Sequence, residues 1–185
     1  MGGLDPEGLA RQVRMAGATG VRVERVQLDG DTALEALVRY EMADSGAHVV
    51  VLDPAGDGWR EAGRVNTWWN YVAEDGVRFI ELRAVVETSV MDLVVRVRSG
   101  ETEHARTTVS IYRVRDGRLV NVLDVKEHEI AMEHPSGDVF TTRAEIAYAP
   151  GRVTVRSRRE PGGRAECTVY QWDAARFRFE EGPCR

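Results

Sequence analysis

Period two dominates this chain. From Val21 onward, apolar and polar residues alternate in short runs, with turn residues roughly every 8–12 positions. Side chains on a strand point to opposite faces in turn, so such a run buries one face and wets the other. Val, Ile, Leu, Thr and Tyr fill the apolar positions, and Gly, Asp and Pro fill the breaks. The pattern predicts an all-β chain.

The alternation itself recurs. One unit reads Glu35–Tyr40, then His48–Leu52, then Asp57–Trp59. A second reads Asp92–Val97, then Thr108–Tyr112, then Asp116–Val122. A looser third reads Arg152–Arg156, then Cys167–Tyr170, then Asp173–Phe179. Each has an acid- or polar-led strand, a variable loop, a second strand, a tight turn and an apolar return strand. Asp-Gly opens two of the three turns, where backbone with positive φ is commonly needed. A preceding strand in each unit (Val77–Val86 or Val139–Ala147 in the later two) completes three degenerate four-stranded repeats, at about 21–72, 73–126 and 127–185. Residues 21–185 then form a single β-repeat domain. Such repeats fit a propeller-like or open multi-sheet arrangement, with a β-trefoil or β-sandwich as alternatives. Closed propellers usually have four or more blades.

Residues 1–20 are the exception. Asp5 suits a helix cap, Pro6 suits the first helical position, and Gly17 to Gly20 end the element. Leu9 and Val13 fall on one side. The expectation is a short helical arm that covers a sheet edge or packs on a neighbour.

Charge narrows the partners. The 185 residues carry 25 Lys and Arg against 30 Asp and Glu, a formal net charge of −5. Nucleic-acid binding needs a concentrated basic face, so no nucleic-acid partner is expected. The basic residues are almost all arginine, alternating with apolar residues as in Arg96–Arg98 and Val153–Arg156, which reads as the wet face of strands. No apolar run approaches the ~18 residues that cross a bilayer as a helix.

Cys167 and Cys184 bracket one hairpin, which turns near Asp173–Ala175 and places them almost opposite each other at its open end. That geometry suits a disulfide, and a disulfide suits an oxidising compartment. A periplasmic, lipoprotein-anchored or extracellular location follows, as a mature form without its signal. Two unpaired thiols in the cytoplasm are the alternative.

The segment Val26–Glu35 resembles the loop of integrin-like FG-GAP propeller repeats, which are found in bacterial exported proteins. Those repeats alternate apolar residues with Asp and Gly, then open a strand on an acidic residue. The resemblance implies a calcium loop with Asp29, Asp31 and Glu35 as ligands, since hard cations favour carboxylate and carbonyl oxygens. Gln27 stands where the family has an acid, and Thr32 where it has a glycine. A plain Asp-rich turn is the alternative. No other cofactor is expected.

Catalytic signatures are not evident. His48, His104, His128 and His134 are scattered, and along a strand Glu127 and Glu129 face away from His128. Ser110 lies within a strand run rather than on a nucleophile elbow. Trp68, Trp69 and Tyr71 stand between the first two repeats and are candidates for partner contact, or alternatively for plugging a core. The expectation is a non-enzymatic protein-binding or scaffold module of the cell envelope or exterior, with self-association through unpaired edge strands. A small-ligand or carbohydrate-binding protein, an enzyme with a loop-assembled site, and an inhibitor or immunity-type protein are the alternatives.

Overall fold

The first element forms where its cap permits. The Asp5 carboxylate accepts a hydrogen bond from the Gly8 amide at 2.9 Å, satisfying one of the free N–H groups of helix α1 (Pro6–Met15). Gly17, at φ +93°, ends it. The computed structural model describes residues 5–67, 80–100, 104–133 and 136–184.

Twelve strands follow among the described residues, in three antiparallel meanders. The first runs β1 (Thr19–Val26), β2 (Glu35–Met42), β3 (Gly46–Ala55) and β4 (Gly58–Thr67). The second runs β5 (Ile80–Arg83), β6 (Asp92–Ser99), β7 (Arg106–Arg115) and β8 (Arg118–Glu133). The third runs β9 (Asp138–Ala149), β10 (Arg152–Glu160), β11 (Ala165–Asp173) and β12 (Arg178–Pro183). The chain is thus all-β with one short N-terminal helix. The first meander is a four-stranded sheet, and the other two join into an eight-stranded sheet. Strand β8 makes the join: its 16 residues pair with β7 over most of their length and with β9 from His128 to Glu133. Register shifts at Thr107/Thr108 and Ile111/Tyr112 kink the β7–β8 pair, as bulges do. Neither sheet closes on itself.

The strands are mostly longer than the alternation predicts, with one exception. Val85 and Val86 fall outside β5, because their backbone N–H groups bind the Asp92 carboxylate instead of a neighbouring strand.

Three apolar layers stack the elements. Ala10 and Leu9 of α1 pack on Ala36, Val38, Val50 and Leu52, so the helix covers a face of the first sheet rather than its edge. The other face of that sheet, with Leu37, Val49 and Val51, meets Leu93, Val95 and Val114 of the second meander. The opposite face of the second meander, with Val94, Val109, Ile111 and Val125, meets Val153, Val155 and Phe179 of the third. Every strand that is buried on both faces lies in the first two meanders, which is why β2 opens with four consecutive buried residues and so does β6. Each fully buried Val, Leu or Ile contributes roughly 1.5–3 kcal/mol.

Backbone hydrogen bonds tie the meanders in a matching way. Met91, just before β6, donates to the Gln27 carbonyl ahead of β2 at 2.9 Å. Gly151, just before β10, donates to the Val85 carbonyl ahead of β6 at 2.9 Å. Close approach between β4 and β8 needs a glycine, because a Cβ on Gly63 would stand 2.7 Å from the Leu119 Cβ. Gly63→Ala should therefore cost about 1–3 kcal/mol in urea unfolding. An unchanged midpoint would show that the two strands move apart freely.

The hairpin turns agree with the expected chemistry at Asp116–Gly117, where both residues have positive φ as a type I′ turn requires. The third meander uses Phe177 at φ 52° in its last hairpin, held between Trp172 and Arg115. Cys167 and Cys184 are bonded, with Cα atoms 5.7 Å apart, one step beyond the Thr168–Pro183 pair. Closing a loop of this size stabilises by about 3 kcal/mol through the unfolded state. Reductant should lower the unfolding free energy by about that much, and an identical urea curve with and without it would contradict this. Among the described residues no helix is long and apolar enough to cross a membrane.

Candidate cation loop and the buried acids

The loop between β1 and β2 is built around one side chain. The Gln27 amide oxygen accepts from the Asp29 and Gly30 amides at 3.2 and 2.8 Å, and its nitrogen donates to the Asp31 and Ala33 carbonyls at 2.5 and 3.3 Å. All four partners are backbone groups of fixed polarity, so the network defines the amide's orientation. Asp29 accepts from the Asp31 amide at 2.9 Å, and Asp31 accepts from the Ala33 amide at 2.7 Å. These are the local side-chain turns that Asp favours.

Glu35, the first residue of β2, completes the cluster. Its side chain is fully buried. One oxygen accepts from the Leu28 amide at 2.6 Å, while Oε1 is buried without a hydrogen-bond partner among the described residues. Burial pushes its carboxyl up to about 7, the Leu28 N–H opposes that rise, and Asp29 and Asp31 add to it. Oxygens of Asp29, Asp31 and Glu35 lie within 4.8 Å of one another. Loop and strand thus bring together the three residues that the resemblance singles out.

The second meander solves the same problem differently. Asp92 opens β6 as Glu35 opens β2, and it too is fully buried. Its Oδ2 accepts from the Val85 and Val86 amides at 2.9 and 3.0 Å, and its Oδ1 lies 3.5 Å from Arg113 Nη1. Arg113 is itself buried, also binds Glu87, and lies over the Trp172 ring. Burial raises the Asp92 carboxyl, and the two N–H groups and then Arg113 pull it back. Sequence reasoning missed this centre, although the matching acid at the head of each strand was the available signal. Where Asp92 has an internal guanidinium, Glu35 has two further carboxylates.

The remaining candidates separate. Trp68, Trp69, Tyr71 and His134 lie outside the described residues. Ser110 is buried, and its hydroxyl donates to Asp124 at 2.5 Å. His48 stacks on Tyr40 and lies 2.9 Å from the Ser45 hydroxyl in the β2–β3 hairpin, with burial holding its imidazole below the ordinary range. The register shift beside Thr107 leaves Glu127 without a β7 partner, while His128 and Glu129 pair with the consecutive residues Thr107 and Arg106 and so keep the expected opposite faces. Glu127 binds Arg96 at 3.0 Å, and Glu129 binds Lys126 at 2.5 Å. No family model matches the chain, and no curated protein or solved structure matches it significantly.

Proposed function

We propose that this chain is an exported, non-enzymatic scaffold that binds a protein partner, built from three degenerate repeats of the integrin-like propeller type and stabilised by a hard divalent cation in its first loop. The observation that carries the cation is Glu35: a fully buried carboxylate with one unpartnered oxygen, close to Asp29 and Asp31 and without the internal base that serves Asp92. An orphaned buried acceptor is costly, and a divalent ion supplies both charge and ligation. Asp29, Asp31 and Glu35 would hold it. Gln27, in place of an acid, keeps the loop folded when no ion is bound. Calcium is the favoured ion, since three carboxylates at a tight loop match its oxygen preference.

The disulfide supports an oxidising compartment, where extracellular modules commonly take calcium at ~10⁻⁴–10⁻³ M. The repeat reading is supported by the matching acids at Glu35 and Asp92 and by the matching bonds from Met91 and Gly151. Calcium titration followed by calorimetry and thermal unfolding tests the cation. The expected result is a single saturable site and a higher melting temperature. No heat and no shift up to ~10 mM, well above the usual range for such modules, would remove the ion from the reading. Cross-linking in the native host tests the partner, and recovery of the chain alone as a monomer would count against a scaffold.

A further inference from the structure

Among the described residues no hydrophobic cluster packs on the outer face of the third meander. Ala147, Arg156 and Cys167 are exposed there, on the side opposite Ile146, Val153 and Val155. Across the strands, hydrogen-bonded register aligns Arg98 of β6, Thr107 of β7, His128 of β8, Arg143 of β9 and Arg158 of β10 in one row. At about 4.8 Å per strand the row spans roughly 19 Å. Arg98, Arg143 and Arg158 are exposed, as is Arg156 two residues along β10.

These four arginines form no ion pair among the described residues. Elsewhere Arg60, Arg64, Arg83, Arg96 and Arg113 each hold a carboxylate. The positive charges act together on His128: burial first, then Arg143 and Arg98, hold its imidazole below the ordinary range, with Glu127 opposing them. Keeping like charges side by side on one row is unfavourable, and unfavourable arrangements on a surface are relieved by a ligand of opposite sign.

We infer that the row Arg98, Arg143 and Arg158, with Arg156 beside it, docks a carboxylate-bearing segment of the protein partner. The inference rests on the protein-binding reading above and names the partner's chemistry. Planar guanidinium forks match carboxylates with two parallel hydrogen bonds. The pattern of the face selects the class. Glu145 lies across from Arg156, and Glu160 lies two residues beyond Arg158. A uniformly charged polymer such as duplex nucleic acid or a sulfated polysaccharide meets both acids unfavourably, whereas a peptide can place its carboxylates between them. The net charge of −5 also disfavours long-range capture of such polymers and of anionic membranes.

Fluorescence anisotropy with a labelled peptide of alternating Glu and Ser tests this. The expected result is binding that weakens as salt rises through about 0.15 M and that falls by on the order of tenfold in R143E/R158E. R143Q/R158Q, which adds no negative charge, should show a smaller loss in the same direction. R118E, which alters an exposed arginine elsewhere, should bind as the original chain does. Melting temperatures verify that the variants remain folded. Equal peptide binding by R143E/R158E overturns the inference. So does a peptide that fails to bind while heparin, duplex DNA or anionic vesicles bind through Arg143 and Arg158. A cross-linked partner protein recovered equally with R143E/R158E overturns this docking surface and leaves the wider protein-binding reading standing.

Discussion

Replacing Arg113 with Met should lower the unfolding free energy by about 3–5 kcal/mol, the largest loss expected from any single exposed or buried polar position in this chain. The reason is Asp92. Its carboxylate is fully buried, and Arg113 is the base that faces it, at 3.5 Å. Met fills similar volume, so little is lost in packing, and what remains is a buried charge supported, among the described residues, by the Val85 and Val86 amides alone. Those amides belong to the β5–β6 connection of the second meander, which also meets the third, since the Val85 carbonyl accepts from the Gly151 amide. Arg113→Met therefore acts on the joint between meanders as well as on one pair. Combining it with Asp92→Asn, which keeps an acceptor for the two amides and removes the charge, should recover about 2 kcal/mol. Urea unfolding of the two single variants and the double variant forms the cycle. Simple additivity would mean that the pair is not coupled.

The second large effect depends on pH and runs opposite to the usual carboxylate. Glu35 titrates near 7 in the folded chain against an ordinary 4.5. Below about 4.5 it is protonated in both states and contributes no pH dependence. As pH rises from there through 7, the unfolded chain releases the proton first, so the folded state loses stability. Above 7 the cost is fully present, about 3 kcal/mol at ~1.4 kcal/mol per unit. Without divalent ions, the chain should thus become less stable between about pH 4.5 and 7.5 relative to Glu35→Gln, which carries no charge to titrate. Bound calcium favours the charged carboxylate and should reverse the sign: calcium stabilises the original chain at pH 7.5 and leaves Glu35→Gln little changed. Thermal unfolding of both chains, in chelator and in calcium, across that range gives the comparison. Parallel pH profiles for the two chains would show that Glu35 does not carry the effect. Asp92 is also raised by burial, and taking the difference between the two chains cancels its share.

Both predictions come from the same position in successive meanders, and they show where reading the sequence reached. The repeated pattern around Glu35 and Asp92, an acid ahead of a short apolar run and followed by a second strand and a tight turn, marked each as the head of a strand. It could not say that the acid turns inward. That depends on Leu28, seven residues upstream, in one case and on Val85 and Val86, seven and six residues upstream, in the other, each lying outside its strand to present an N–H group to the carboxylate.

Asp5 and Pro6 placed the helix, since capping is decided within one turn, yet its seat on Ala36 and Val38 depended on which sheet face remained uncovered. The cysteines were legible for a similar reason: a hairpin is local, and its register carries Cys167 and Cys184 within bonding distance. Arg96, Arg98 and Arg156 were read as the wet face of strands; Arg98 and Arg156 are exposed, whereas Arg96 is half-buried and holds Glu81 and Glu127. The alignment of Arg143 and Arg158 with Arg98 was not legible, because it is set by the bulged pairing of β7 with β8 across about 30 residues of chain.

What the sequence determined by itself was the local content: period two, the turns, the capped helix and the closing hairpin. Each rests on interactions between residues close along the chain. The tertiary structure alone decided that the second and third meanders share one sheet through β8, that Asp92 finds Arg113 while Glu35 keeps an oxygen unpartnered among the described residues, and that Arg98, Arg143 and Arg158 fall in one exposed row. Those outcomes depend on which surfaces meet, and a pattern with period two specifies a face without specifying its partner.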